Sequence, residues 1–113
     1  MRGQELYLRD VLTAIQNIRE FVGSMTNDEF HRDPKTQSAV IHQFQIVGEA
    51  IKHFSPELKS QHPEISWKDI SGMRDILIHE YFGVDIELLW ETVKQDLNPL
   101  EKAVKKLLAS LNK

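Results

Sequence analysis

Apolar residues recur every three or four positions along almost the whole chain. Nowhere do they alternate in twos over the length of a strand. Leu8, Val11, Leu12, Ile15, Ile18 and Val22 form one stripe, and Val40, Phe44, Val47, Ile51 and Phe54 form a second. Ile70, Met73 and Leu77 form a third. Ile86, Leu89, Trp90, Val93 and Leu97 form a fourth, which continues through Leu100, Val104, Leu107, Leu108 and Leu111. At about 100° per residue, each stripe is one buried face of a helix. The pattern predicts an all-α fold over residues 1–113 as a single domain, an up-and-down antiparallel four-helix bundle with an extra short helix. The stripes are wider than one small bundle has to bury, so a homodimer is expected, with parts of the third and fourth helices in its interface.

The breakers between the stripes carry cap chemistry. Gly23 should end the first helix. Thr26-Asn27-Asp28-Glu29 has the form of a capping box, and Asp33-Pro34 that of an N-cap followed by proline at the first helical position. Ser55-Pro56 should stop the next helix and open a turn-rich connection over 55–65. Ser66-Trp67-Lys68-Asp69 is another capping box, and Asp85 can cap the last segment. Asn98-Pro99-Leu100-Glu101 should either kink that segment or restart it, with Asn98 as cap and Glu101 as its capping partner.

Composition removes several chemistries. The chain has 113 residues and no cysteine, so disulfides, thiolate nucleophiles and thiolate metal sites are excluded. A net charge of -3 argues against a broad basic face that coats nucleic acid, though not against a pocket that holds a few phosphates. No apolar run approaches the ~20 residues of a membrane span, and no secretory leader is visible, so a cytoplasmic setting is expected.

One polar patch stands out, Met73-Arg74-Asp75-Ile76-Leu77-Ile78-His79-Glu80-Tyr81-Phe82-Gly83-Val84-Asp85. On a helix, Asp75 and His79 are one turn apart, so the carboxylate can accept from the imidazole and favour its charged form. Arg74 and Tyr81 share a face. Arg74 and His79 are about 140° apart on a straight helix. They converge only if the helix unwinds near Gly83 or a second copy brings its own set across a two-fold axis. The bland alternative is a helix end with a surface ion pair. A metal site from Glu49, His53 and His79 fits no established ligand spacing. Without a glycine-rich loop or a Walker-type lysine, nucleotide hydrolysis has no support, and no cofactor is expected.

Arg74, four residues, then His79-Glu80-Tyr81 resembles the Arg-x4-His-x-Tyr motif of HEPN-domain proteins of the HepT-like type. Thr36-Gln37-Ser38-Ala39-Val40 and Ile46-Val47-Gly48-Glu49-Ala50 are similar to the family's helix signatures. Pro63-Glu64-Ile65-Ser66-Trp67 before Gly72-Met73-Arg74-Asp75 is similar to its lead-in, and Tyr81-Phe82-Gly83-Val84-Asp85 to its exit. The position after the motif arginine, commonly Asn in the family, is Asp75 here.

The resemblance implies a dimeric helical bundle with the motif facing a cleft between protomers. It implies a metal-independent endoribonuclease acting as the toxin of a toxin–antitoxin pair. Its partner would be a small nucleotidyltransferase of the MNT type that silences it by transferring AMP to Tyr81. In that setting His79 would act as acid and base around the RNA 2′-hydroxyl, and Arg74 would stabilise the phosphate. Tyr81 would contact RNA, with Asp75 and Glu80 in support. The alternative is a non-catalytic helical dimer that serves as a binding or regulatory subunit of the nucleotidyltransferase.

Overall fold

The computed structural model describes residues 2–72 and 85–111, and every regular element among them is a helix. Helix α1 spans Arg2–Val22. Leu8, Val11, Ile15 and Ile18 have no exposed surface, as the first stripe requires. Burying each such side chain contributes about 1.5–3 kcal/mol. Gly23 ends the helix in the left-handed region (φ 53°), where its N–H donates to the Arg19 carbonyl at 2.8 Å. An L side chain would be strained there, which is why glycine stands at this position.

Helix α2, Asn27–His31, carries the predicted capping box. The Glu29 N–H donates to Thr26 Oγ1 (3.2 Å), and the Thr26 N–H donates to Glu29 Oε1 (2.9 Å). Helix α3, Pro34–Lys52, opens with Asp33 accepting from the Thr36 N–H (3.0 Å) and its hydroxyl (2.8 Å), and with Pro34 at the first helical position. Its buried face, Val40, Phe44, Val47 and Ile51, is the second stripe. Gly48 is buried on the same helix.

The connection after α3 differs from expectation. It holds a short helix, α4 (Pro56–Ser60), whose cap is Ser55 accepting from the Leu58 N–H at 3.3 Å. Ser55-Pro56 is therefore a start signal as well as a stop, because a serine cap followed by proline at the first helical position is how helices begin. The Gln4 side chain closes this corner. It donates to the His53 carbonyl (2.9 Å) and accepts from the Ser55 N–H (2.8 Å). Residues 67–72 are helical and are named α5.

Helix α6, Ile86–Gln95, is capped by Asp85, which accepts from the Leu88 N–H at 3.2 Å. Helix α7 spans Leu97–Leu111. The last segment thus restarts rather than kinks, but the break falls at Asp96 and not at Asn98. Pro99 is the third residue of α7, where its missing N–H leaves no helical bond unmade. Asn98 and Glu101 turn to a different partner, both binding the Arg19 guanidinium of α1, Glu101 at 2.8 Å.

Helix α1 is the centre of the arrangement and packs on both α3 and α7. Gln4 lies against the end of α3, and Asn17 donates to Gln43 midway along it (3.2 Å), so α1 and α3 are antiparallel. Arg19, near the end of α1, meets the start of α7, so that pair is antiparallel too. Helix α2 docks on α6 through Phe30, whose ring lies 5.2 Å from that of Trp90.

Among the described residues, four carboxylates are held below their ordinary values. Glu29 is lowered by hydrogen bonds from the Thr26 backbone and hydroxyl, and Asp33 by those of Thr36. Glu64 is lowered by its bond from His62, and Glu101 by that from Arg19. Groups shifted down stabilise the fold above their unfolded values and lose that contribution as pH falls through the native ones. The urea midpoint should therefore hold steady near neutral pH and decline below about 4.5, the ordinary glutamate value. Arg19→Met should flatten part of that decline. A midpoint that stays level through this acid range would contradict the assignment.

Candidate active site

Arg74, Asp75, His79, Glu80 and Tyr81 all fall in residues 73–84, outside the described residues. The structure does describe what holds the two ends of that segment. On the near side, Trp67 is buried, and its indole N–H donates to the carbonyls of Lys59 and His62, both at 3.1 Å. Its ring meets Phe54 edge-on at 5.6 Å. The Ile70 N–H donates to the Ser66 carbonyl (3.0 Å), which starts α5 at the predicted position. On the far side, Asp85 caps α6, and Leu89, Trp90 and Val93 bury that helix in the core. The motif is thus bracketed by two anchors belonging to the same core. The anchoring role of Trp67 was not legible from the stripe pattern. Its signal is a large amphipathic ring in the first turn of a helix, which, when buried, must find an acceptor for its N–H.

Three of the other four histidines pair with glutamates. His53 Nε2 lies 3.5 Å from Glu49 on α3, and the His53 ring stacks on Tyr7 with centroids 4.6 Å apart. His31 lies 3.3 Å from Glu87 and ties α2 to the first turn of α6. His62 pairs with Glu64 at 2.9 Å. His42 is exposed on α3. Among the described residues no group of three or more His, Asp or Glu side chains could hold a metal ion. Of the weighed set Glu49, His53 and His79, the first two meet as a helix-surface pair, and His79 lies outside the described residues. No helix among those described is long and apolar enough to cross a membrane.

Capped helices packed around a central α1, with the polar motif carried between two core-anchored helices, define an all-α helical bundle. The family described as "Ribonuclease HepT-like" matches residues 11–107. A Thermococcus cleftensis protein named probable ribonuclease HepT is 45% identical over 106 residues, covering 94% of this chain and 96% of its own length. Two more relatives carry the name "putative RNase". One, from Methanocaldococcus jannaschii, is also named gamma-glutamylcyclotransferase. It is 40% identical over 109 residues, covering 96% of this chain and 49% of its own. The other, from Caldanaerobacter subterraneus, is 38% identical over 108 residues, with 96% of both chains covered. No solved structure matches the chain. The chain belongs to the HepT-like ribonuclease family and is of the RNA-cleaving enzyme class.

Proposed function

We propose that the protein is a metal-independent endoribonuclease, the toxin of a toxin–antitoxin pair, whose reacting groups come from residues 74–81. The observation that carries this is the family match over 11–107, which spans an intact Arg74-x4-His79-x-Tyr81. Without cysteine, the nucleophile is the RNA's own 2′-hydroxyl. His79 takes its proton, and the 2′-oxygen attacks the adjacent phosphorus. The 5′-oxygen leaves with a proton returned by imidazole, giving a 2′,3′-cyclic phosphate and a 5′-hydroxyl end. Arg74 donates to the non-bridging phosphate oxygens as their charge develops. Asp75 accepts from the His79 ring and favours the imidazolium. Tyr81 bonds a phosphate oxygen or stacks on a base, with Glu80 in support.

The working unit is a homodimer with one cleft between two motifs, since a second copy brings Arg74 and His79 to one phosphate without any unwinding near Gly83. The partner is a nucleotidyltransferase of the MNT type. AMP on the Tyr81 hydroxyl adds a phosphate charge and bulk where the RNA phosphate must sit, and the site is silenced. The setting is the cytoplasm.

The purified protein should cleave RNA in EDTA, leave 2′,3′-cyclic phosphate ends and spare DNA of the same sequence. After co-expression with a neighbouring nucleotidyltransferase, its intact mass should rise by whole AMP units mapping to Tyr81. A protein that binds the transferase but cleaves no RNA, with or without metal, would instead be the non-catalytic regulatory subunit.

A further inference from the structure

An open hollow of about 560 Å³ lies against the lead-in to the motif, and both Lys59 and Lys68 line it. The two lysines come from different elements, Lys59 from α4 and Lys68 from the first turn of α5. The buried Trp67 brings them together. Its indole N–H donates to the Lys59 carbonyl at 3.1 Å, and Lys68 is the next residue in the chain. That tie uses only the backbone of Lys59. Neither ammonium makes a hydrogen bond or ion pair with any described residue. One carboxylate, Asp69, shares the lining. Glu64, beside the Pro63 of the hollow, is held low by its bond from His62, and Lys106 of α7 adds to the effect. This corner therefore gathers three ammonium groups and two carboxylates, whereas the chain as a whole has 14 basic and 17 acidic side chains. A local excess of positive charge on a negative protein concentrates anions at that place. Lys68 also stands six residues before Arg74, and six residues reach at most about 22 Å in any conformation.

We propose that Lys59 and Lys68 hold backbone phosphates of the RNA a few nucleotides from the bond that is cleaved. The proposal rests on the ribonuclease reading above and gives its substrate a track toward the motif. A lysine ammonium meets a phosphodiester as a point charge on a flexible stem, so the contact positions the strand and reads no base. It also lets a protein of negative net charge bind RNA without a broad basic face, because the cations it has are gathered beside the motif.

The test is fluorescence anisotropy of the full chain with a single-stranded 2′-O-methyl RNA, which keeps every phosphate and lacks the attacking hydroxyl. Binding is followed from about 50 to 200 mM salt, where each phosphate contact on a single strand adds about 0.7 to the slope of log K against log salt. Lys59→Gln and Lys68→Gln should each reduce the slope by about that amount, and Lys59→Arg and Lys68→Arg should keep it. Lys102→Gln, the same charge loss at an exposed position of α7 outside the hollow, should leave it unchanged. In single-turnover cleavage of unmodified RNA, the glutamine variants should need more protein to reach half the maximal rate and retain that rate. Both keep the backbone bond to Trp67, and the urea midpoint reports their fold. An unchanged slope in either glutamine variant, with wild-type cleavage intact, overturns the proposal and leaves the ribonuclease reading standing. An equal loss in Lys102→Gln also overturns it, as does a wild-type chain without affinity for the probe. Glutamine variants that bind RNA normally but lose the nucleotidyltransferase would make the hollow a protein-docking surface instead. A chain that binds the probe with the expected lysine dependence and cleaves nothing upholds this site and removes the ribonuclease reading.

Discussion

His79→Ala is expected to lower RNA cleavage by about 10²–10⁴-fold, the usual contribution of a positioned general acid–base, with the urea midpoint unchanged. Arg74→Ala should cost about 10²–10³-fold through lost stabilisation of the charge developing on phosphate. Arg74→Lys should recover only part of it, because an ammonium keeps the charge but not the planar two-pronged donor. The informative measurement is single-turnover cleavage in EDTA beside denaturant unfolding of the same preparations. Wild-type cleavage by either alanine variant removes that residue from the chemistry. Mixing the two variants adds a stronger test of the shared cleft. If each protomer lends one group to a common site, a heterodimer of Arg74→Ala and His79→Ala chains regains one intact combination. Cleavage should then reappear in the mixture although neither parent has it.

Phe30→Ala is expected to destabilise the fold by about 3–5 kcal/mol, the range for deleting a fully buried aromatic ring. Phe30 has no exposed surface, and its ring is the face that α2 presents to Trp90 on α6. The loss is a large part of the total stability of a domain this size, so the urea midpoint should fall markedly with the slope retained. Helix α2 has only five residues and cannot hold itself by its own hydrogen bonds. Without the ring, its capping box and the His31–Glu87 pair remain, but little apolar area supports them. A loss below about 1 kcal/mol would mean that the site collapses around the deletion far better than buried aromatic sites do.

The comparison of sequence and structure divides along the range of the forces involved. Local signals read correctly at three helix starts that depend on residues within four positions. Thr26 with Glu29, Asp33 with Pro34, and Asp85 all do what their spacing predicts, because a cap satisfies donors of its own first turn. Ser55-Pro56 carries the same signal and, besides ending α3, starts α4. At Asn98 the local reading failed. Its side chain had a distant competitor, the Arg19 guanidinium on α1, and the helix break moved to Asp96. Gln4 is the same case, a surface residue by composition that holds the α3–α4 corner from 49 residues away.

For the site, the order Arg74, His79, Tyr81 and its flanks sufficed to indicate the family, since reactive groups are identified by type and spacing along the chain. Periodicity also determined which faces turn inward, because burial of apolar area is a property each residue brings with it. Which helices become neighbours, and which long-range polar pairs form, was decided only once α1 lay antiparallel to both α3 and α7. Those pairings depend on side chains that meet across the folded molecule and leave no periodic trace in the chain.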